Sequence, residues 1–457
     1  MSDDLFQILS DTQHRLDAGF AHLPPNPTPP LGEAASAILH QVADRLQDNY
    51  PYAHPLYAGQ MLKPPHPIAR AAYALAMSVN PNNHALDGGR ASSAMEIEAV
   101  AALAKMFQWT NETGGYLGHL TSGGTFANLE ALWVAGQLAP GKAIAASDQA
   151  HYTHSRISSV LGLPFISIPS DNRGRMDLTA LEHLLATKDI GTVVVTLGTT
   201  AIGSVDPLDQ ILNLQKEYEF RIHVDAAYGG YFTLASNLSP ETRAAFDAIP
   251  HVDSIVIDPH KHGLQPYGCG SILFRDPAVG RFYKHDSPYT YFSSKELHLG
   301  EISLECSRAG ASAVALWATQ QLFPYTPGGE FAQGLESGHT AAVELHRRLT
   351  ESTQFITPTS QPQLDIVFWA ANASTPEASS ALAQSIFDEA AKIDLHIALA
   401  KLPARFFPQD TWKDSPHKYS EIYVTCLRSV LMKPEHLLWL DHLWQRLQTA
   451  SDKVTGQ

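Results

Sequence analysis

The amino-acid sequence predicts an α/β protein, in which a large domain with a mostly parallel, helix-covered sheet precedes a smaller α+β domain. From about residue 91, helical segments alternate with short apolar runs rich in β-branched residues. That alternation is typical of a parallel sheet buried on both faces, which binds ligands at the carboxyl ends of its strands. The stretch PYTPGG at 324–329 interrupts it. We therefore expect an N-terminal arm with helices over 1–90, a large domain over 91–325 and a small domain over 326–457.

The N-terminal region predicts a helix followed by an extended segment. Apolar residues recur at near-helical spacing over 4–22, and the proline-rich stretch PPNPTPP follows at 24–30. Because proline lacks the backbone N–H that a helix needs, this stretch cannot be helical. We expect it to carry the arm across the surface or onto a partner subunit.

Periodicity and composition locate the elements of the two domains. The large domain is expected to have helices at 92–107 and 125–138. Its expected strands are AIAAS (143–147), FISIP (165–169), TVVVTLGTT (192–200), RIHVDAAYGG (221–230), SIVID (254–258) and GSILFRD (270–276). The small domain is expected to have helices at 330–350, 376–392 and about 434–449, with strands at 364–370, 395–400 and 421–427.

The composition limits the possible partners. Only 17% of the 457 residues are charged, below the roughly 25% usual for soluble domains, which favours burial between subunits and hence a homo-oligomer. The net charge is −15, and no Lys/Arg-rich run offers a footprint for nucleic acid. Three scattered cysteines, the acidic N-terminal stretch MSDDLFQILSD and the lack of a long apolar run predict a soluble, cytoplasmic protein without a membrane segment.

The first chemical motif is the glycine-rich turn TSGGT (121–125), which opens into an amphipathic helical segment. Such a turn presents free N–H groups and the positive end of the helix dipole, and its hydroxyls add further donors. It therefore suits a phosphate group. The alternative is an ordinary turn in which Thr125 caps the helix.

The second motif is a carboxylate at the end of a strand, Asp225 in HVDAAYGG (223–230). An unpaired buried carboxylate is costly, so we expect Asp225 to face a cation or strong donors. The small residues after it would leave room for a flat ligand. The alternative is an aspartate that caps the next turn.

The third motif is Lys261 in DPHKHG (258–263), which follows the apolar run SIVI. In isolation, such a lysine is more often part of a structural ion pair. Together, however, the three motifs are the groups that pyridoxal 5′-phosphate requires: a cradle for its phosphate, a carboxylate for its pyridinium nitrogen and an amine for its aldehyde. A lysine in a partly desolvated pocket can form that Schiff base.

Longer stretches resemble the group II pyridoxal-phosphate-dependent decarboxylases of fold type I, which include aromatic amino acid and glutamate decarboxylases. The resemblance extends from HPLY (54–57) to about KP (433–434). It is carried by TSGGTFANLEAL (121–132), SDQAHYTHSRISSVLG (147–162), VVVTLGTTAIGSVDPL (193–208), HVDAAYGGY (223–231), DSIVIDPHKHG (253–263) and LRSVLMKP (427–434). It implies decarboxylation of an L-amino acid to an amine and carbon dioxide, by a homodimer with its active site at the subunit interface.

The resemblance also implies roles for individual residues. Lys261 would form the Schiff base, Asp225 would pair with the pyridinium nitrogen, and His151 would stack on the cofactor ring. The other cofactor contacts would come from Gly124, Thr125, Thr200, Ala227 and His260. A metal is not expected, because no carboxylate or cysteine completes a ligand set with His151 and His154.

Further roles concern the substrate. The family places a proton-donating tyrosine on a loop after the lysine, where this chain has Tyr289 and Tyr291; packing at a subunit interface is the alternative. Arg428 matches an arginine that reaches a substrate carboxylate in the acidic-substrate branch, and a scaffold ion pair is the alternative. His262 stands where aromatic-substrate relatives carry a bulky apolar residue. Aromatic and acidic amino acids therefore both remain possible substrates.

Two alternatives to decarboxylation remain open. One is a carbon–carbon lyase or aldolase that uses the same cofactor on a hydroxylated or phosphorylated amine. It would need a second anion cradle for a phosphorylated substrate, and no second glycine-rich anion loop is evident. The other is a catalytically silent binding protein, against which the complete set of Lys261, Asp225, His151 and Thr125 argues.

Overall fold

The structure, a computed structural model, describes residues 3–25, 32–84, 86–284, 302–412 and 422–456. Its α-helices are α1 (Asp3–Ala18), α2 (Gly32–Leu46), α3 (Pro67–Met77), α4 (Arg90–Met106), α5 (Gly124–Leu138), α6 (Thr153–Leu161), α7 (Leu178–Thr187), α8 (Leu208–Leu214), α9 (Pro240–Asp247), α10 (Gly310–Leu322), α11 (Glu330–Glu351), α12 (Pro376–Ala391) and α13 (His436–Thr455). Its strands are β1 (Leu117–Thr121), β2 (Ala143–Ser147), β3 (Phe165–Ile168), β4 (Ile190–Thr196), β5 (Arg221–Asp225), β6 (Ser254–Ile257), β7 (Gly270–Phe274), β8 (Phe355–Ile356), β9 (Ile366–Ala371), β10 (Ala398–Pro403) and β11 (Tyr423–Val430).

The larger sheet has the strand order β1-β7-β6-β5-β4-β2-β3. Strands β3, β2, β4, β5 and β6 are parallel, and β7 runs antiparallel to both β6 and β1. All residues of β2, β4, β6 and β7 are buried, which is why they form continuous apolar runs in the sequence. The predicted, mostly parallel sheet is confirmed.

Two strands of this sheet differ from the expectation. No α-helix separates β6 from β7, so β7 returns antiparallel instead of crossing over to a parallel position. Strand β1 was not predicted, because Gly118 and His119 give it little of the β-branched character that marks the other strands.

The smaller sheet has the order β10-β11-β9-β8 and is antiparallel throughout. Helices α11 and α12 pack against it, and α13 packs against both helices, around a core that includes Trp369, Leu427 and Leu443. This is the predicted smaller α+β domain. The boundaries at residues 90 and 325 stay predictions.

The N-terminal region contains more helix than the sequence pattern indicated. Helix α1 lies in the predicted segment and packs against α3, whereas α2 and α3 were not assigned individually. Residues 26–31 of the proline-rich stretch lie outside the described residues. Across the described ranges, no helix combines the length and the apolar character that crossing a membrane requires.

Candidate active site

The predicted cofactor residues surround one cavity of about 490 Å³ at the carboxyl ends of the parallel strands. The cavity is lined by all eight of them, namely Gly124, Thr125, His151, Thr200, Asp225, Ala227, His260 and Lys261. They follow or end β1, β2, β4, β5 and β6. Because parallel strands end at the same edge of a sheet, residues far apart in the sequence meet there.

One end of the cavity is the start of α5. Gly123 occupies the N-cap position with φ +150° and no side-chain cap, so the alternative in which Thr125 caps the helix is wrong. A Cβ on Gly124 would lie 2.7 Å from Asp258 Oδ2, so a larger residue does not fit without displacement. The uncapped helix start directs its N–H groups and dipole toward the cavity, as a phosphate requires.

Asp225, at the end of β5, is 5% exposed and well supplied with donors. Its Oδ2 lies 2.8 Å from His154 Nε2 and accepts a longer hydrogen bond, 3.5 Å, from Asn128 Nδ2, while its Oδ1 accepts the Ala227 N–H at 3.2 Å. Burial raises the pKa of Asp225, but the hydrogen bond and charge of His154, with the charge of Lys261, outweigh it and hold that pKa below its ordinary value. A carboxylate accepts about four hydrogen bonds, so this ionised group retains capacity for another donor.

Lys261 reaches the cavity from the turn after β6. Its Nζ lies 3.1 Å from Oδ2 of the buried Asp258, and His260 Nε2 is 3.6 Å from the same oxygen. Asp258 Oδ1 accepts no hydrogen bond from the described residues. The lysine therefore has an ion-pair partner within the chain, and an unsatisfied acid oxygen lies beside the cavity. The sequence analysis gave Asp258 no role, although it begins the DPHKHG motif.

His151 follows β2 and is partly buried beside the same cavity. Its ring centroid is 4.4 Å from that of Tyr152, and its Nδ1 accepts the Thr153 N–H at 3.3 Å. Burial lowers the pKa of His151, against the opposing effect of Asp225. The ring is thus kept in its neutral form near pH 7.

These features fit pyridoxal 5′-phosphate. The volume lies within the roughly 300–1,000 Å³ of typical ligand pockets. An uncapped helix start suits the phosphate, the ionised Asp225 suits a protonated ring nitrogen, and Lys261 supplies a primary amine. Across the described residues, no group of three or more His, Cys, Asp or Glu side chains is arranged to hold a metal ion.

A second recess, of about 470 Å³, adjoins the cavity and shares Thr200 and Tyr267 with it. Its other walls are Gln60, Met61, Leu62, Ala201, Leu399, Ala400 and Arg428. Most of these side chains are apolar. The recess therefore presents a mainly apolar surface next to the cavity.

Arg428, on β11, is buried and held by carbonyl groups. Its Nε donates to Ala201 O at 2.7 Å, its Nη2 to Thr200 O at 2.7 Å and its Nη1 to Gly59 O at 3.2 Å. No carboxylate of the described residues lies within ion-pair distance of it. The guanidinium thus joins the small sheet to the loop after β4 and to the N-terminal segment. The alternative role, a scaffold ion pair, is not found among the described residues.

The structure does not bring every predicted residue to the cavity. Tyr289 and Tyr291 lie outside the described residues, and their role stays a prediction. His262 is buried but does not line the cavity; its Nε2 is 3.4 Å from Asp365 Oδ2, and its ring centroid is 4.7 Å from that of Tyr228. It therefore does not contact the cavity directly.

The two side-chain donors to Asp225 were not predicted from the sequence. His154 lies three residues after His151 and was considered only as a metal ligand. Asn128 lies one turn into α5, and the sequence pattern does not distinguish it from any other residue on the surface or in the core of a helix. Nothing in local spacing indicated that both would meet a strand-end carboxylate, since the contacts join three separate elements.

Comparisons with known proteins identify the family of this chain. The family described as "Pyridoxal-dependent decarboxylase conserved domain" matches residues 29–371. The L-tyrosine decarboxylase of Enterococcus faecium is 26% identical over 87% of this chain and 85% of its own. A probable L-tyrosine/L-aspartate decarboxylase of Methanocella arvoryzae is 30% identical over 64% of this chain and 73% of its own.

The fold has close counterparts among solved structures. Oryza sativa TDC, crystallised with PLP and tryptamine, superposes with a TM-score of 0.78 at 17% identity, covering 99% of this chain and 96% of that one. Mouse CSAD superposes with a TM-score of 0.77 at 20% identity, covering 99% and 92%. At such identities the likeness concerns the fold alone. The family match selects decarboxylation over the lyase and the silent binding protein: the chain belongs to the pyridoxal-dependent decarboxylases, and it is a carboxy-lyase for an amino acid with pyridoxal 5′-phosphate as its cofactor.

Proposed function

We propose that this decarboxylase acts on an aromatic L-amino acid, with L-tyrosine as the first candidate. The observation that carries the proposal is the recess beside the cofactor cavity, whose walls include Met61, Leu62 and Leu399. An apolar wall favours a ring over a carboxylate, which would lose its hydration there. The name of the Enterococcus relative agrees with this choice.

An acidic substrate, L-aspartate, is the second candidate, and Arg428 is the observation that favours it. The buried guanidinium donates to neutral carbonyls, and one N–H of its Nη2 has no acceptor among the described residues. A substrate carboxylate would supply both the acceptor and the counter-charge. The Methanocella relative carries both substrates in its name.

The cavity residues divide the work of the reaction. Gly124 and Thr125 would hold the cofactor phosphate, Lys261 would bind its aldehyde, and Asp225 would keep its ring nitrogen protonated. His151, Thr200, Ala227 and His260 would hold the ring and phosphate from the surrounding walls. Their position around one cavity supports these assignments.

When bound, the cofactor supplies an electron-accepting ring that stabilises the negative charge left on Cα as carbon dioxide departs. The substrate's Cα–carboxylate bond breaks, and one proton is then added to Cα, so that each turnover consumes a proton and releases an amine. We propose Tyr289 or Tyr291 as the donor of that proton. Because the ring of His151 would be neutral, the charge of the cavity lining would come from Asp225, Asp258 and Lys261.

The test is a substrate panel assayed with the cofactor-loaded protein. L-tyrosine, L-phenylalanine, L-tryptophan, L-aspartate and L-glutamate are compared by carbon dioxide release, in the native protein and in Lys261→Ala. We expect release with L-tyrosine and at least a 1,000-fold loss in Lys261→Ala, because the covalent contact cannot form. Retained activity in that variant would overturn the role of Lys261.

Arg428→Gln distinguishes the two substrate classes in the same assay. Glutamine keeps hydrogen-bonding capacity but removes the charge. If L-aspartate is the substrate, kcat/KM for it should fall roughly 10- to 150-fold, as for the loss of a charge-assisted hydrogen bond. If L-tyrosine is the substrate, its KM should change little. Activity with neither class would contradict both choices.

We also propose that the active form is a cytoplasmic homodimer. Helix α2 buries none of its residues against the described chain, and Ile38, Leu39, Val42 and Leu46 form an exposed apolar stripe at helical spacing. A second copy of the chain would bury that stripe. Cys269, Cys306 and Cys426 are all free thiols, which agrees with a reducing compartment.

A further inference from the structure

The side chain of His154 makes one hydrogen bond among the described residues, and that bond is with the active-site carboxylate. It lies in the first turn of α6 with its side chain 1% exposed, and its Nε2 is 2.8 Å from Asp225 Oδ2. An ionised carboxylate only accepts hydrogen bonds, so Nε2 carries the proton. Nδ1 has no hydrogen-bond partner among the described residues.

A second chain of hydrogen bonds reaches the same oxygen through His223, which lies two residues before Asp225 on β5. Burial lowers the pKa of His223 to about 3, so its ring is neutral. With Ser254 Oγ donating to its Nδ1 at 2.9 Å, its Nε2–H donates to Asn128 Oδ1 at 2.8 Å. Asn128 must then present its Nδ2 to Asp225 Oδ2, at 3.5 Å.

The two chains leave Asp225 asymmetric. Both His154 and Asn128 donate to Oδ2, whereas within the described part of the chain Oδ1 receives only the Ala227 N–H. The contact from His154 is much the shorter of the two, so it dominates the placement of Oδ2. Oδ1 is then the oxygen with acceptor capacity left for a ligand in the cavity that Asp225 lines.

We propose that His154 is a positioning residue for decarboxylation, whose Nε2–H holds the Asp225 carboxylate in place and supplies the donor that its buried negative charge requires. His154 does not line the cavity, so it acts through Asp225 and not on the substrate or cofactor. The inference rests on the proposed role of Asp225 toward the ring nitrogen. Without the donor, the carboxylate would take up a proton more readily and would hold the ring nitrogen's proton less well.

The experiment compares three variants. His154→Leu removes the donor, and His154→Gln restores an N–H on a side chain of similar reach. His346→Leu is the matched control, because it replaces another buried histidine, on α11, that does not line the cavity. Each purified protein is loaded with cofactor, and the absorption spectrum of the bound cofactor is recorded without substrate from pH 5 to pH 9. Steady-state kcat and KM are measured on the substrate that the panel identifies.

We expect His154→Leu to shift the pH dependence of the cofactor spectrum by at least one pH unit and to lower kcat roughly 10- to 100-fold, as for a lost charge-assisted hydrogen bond, with KM changed less than about threefold. His154→Gln should recover most of both effects, and His346→Leu should show neither. An unchanged spectrum and kcat in His154→Leu would overturn the inference. Equal losses in the Leu and Gln variants would also overturn it, because they would indicate a packing role.

Asp225→Asn separates this inference from the function on which it rests. If Asp225→Asn leaves the cofactor spectrum unchanged, the proposed role of Asp225 fails. If Asp225→Asn alters the spectrum while His154→Leu does not, only the role of His154 fails.

Discussion

Arg428 and Asp225 are both buried and charged, and each keeps about one hydrogen-bonding position that no described residue fills. Arg428 directs four of its five N–H groups at carbonyl and amide oxygens of the chain, so most of its binding capacity is used in joining segments. Asp225 has three donors for an acceptor capacity of about four. What distinguishes Asp225 is that it lines the main cavity, where its remaining acceptor capacity can meet a ligand, whereas Arg428 lines the adjoining recess.

At the same scale, the tyrosine that donates the proton can be identified by removing one hydroxyl at a time. We expect Phe at either position 289 or 291 to lower amine formation at least 100-fold, because Cα would lose its acid. The other single variant should stay near the native rate, as should cofactor binding in both. The measurements are amine yield and cofactor absorbance for Tyr289→Phe and Tyr291→Phe. Unchanged turnover in both variants would refute the hypothesis.

At the scale of elements, Asp365 connects the two sheets. It immediately precedes β9 of the small sheet, and it accepts a 2.5 Å hydrogen bond from Tyr228 Oη on the large-domain side. His262 Nε2 lies 3.4 Å from its other oxygen. Burial raises the pKa of Asp365 from 3.8 to about 6, against the opposing hydrogen bond from Tyr228. The protonation state of Asp365 is therefore expected to affect the contact between the large and the small domain.

This raised pKa predicts a pH-dependent stability. Because the folded pKa lies above the unfolded one, the contribution of Asp365 is fully present below about pH 4 and is lost as the pH rises through about 6. Relative to Asp365→Asn, which does not titrate, the native protein should lose about 2 kcal/mol in the free energy of unfolding between pH 4.5 and pH 7.5. Urea unfolding of the cofactor-free proteins at the two pH values measures it. Parallel pH profiles for the two proteins would contradict the raised pKa.

At the scale of the whole molecule, the exposed apolar stripe of α2 predicts assembly. Leu39→Glu should raise the dissociation constant of the dimer at least 100-fold, because an unpaired charge would be buried between the subunits. Decarboxylation should fall with it, since the site is expected to need both copies. Sedimentation velocity and carbon dioxide release at matched concentrations test this. His40→Glu, on the opposite side of α2, adds the same charge and should remain dimeric and active.

An unchanged oligomeric state in Leu39→Glu would contradict the proposed dimer surface. A monomer that keeps full activity would instead contradict the expectation that the site lies between two subunits.

Local motifs predicted the candidate phosphate, carboxylate and amine groups, because each motif contains its own structural reason, and the family resemblance added His151, Thr200, Ala227 and His260. TSGGT forms an uncapped helix start, HVD ends a buried strand with an acid, and DPHKHG follows another buried strand with an amine. Since the strands are parallel, their ends meet at one edge, and all eight predicted cofactor residues line one cavity. The alternation of strands and helices along the sequence likewise predicted the mostly parallel sheet.

The sequence by itself therefore determined the class of fold and the cofactor, and it predicted residues that the structure places around one cavity. The tertiary structure decided which side chains support those residues: His154 and Asn128 on Asp225, and the carbonyls on Arg428. It also decided the direction of β7 and the place of β1 in the sheet. These contacts join segments that lie up to several hundred residues apart. The spacing of residues within a motif does not predict these contacts, because they depend on how distant helices and strands pack against each other in the folded chain.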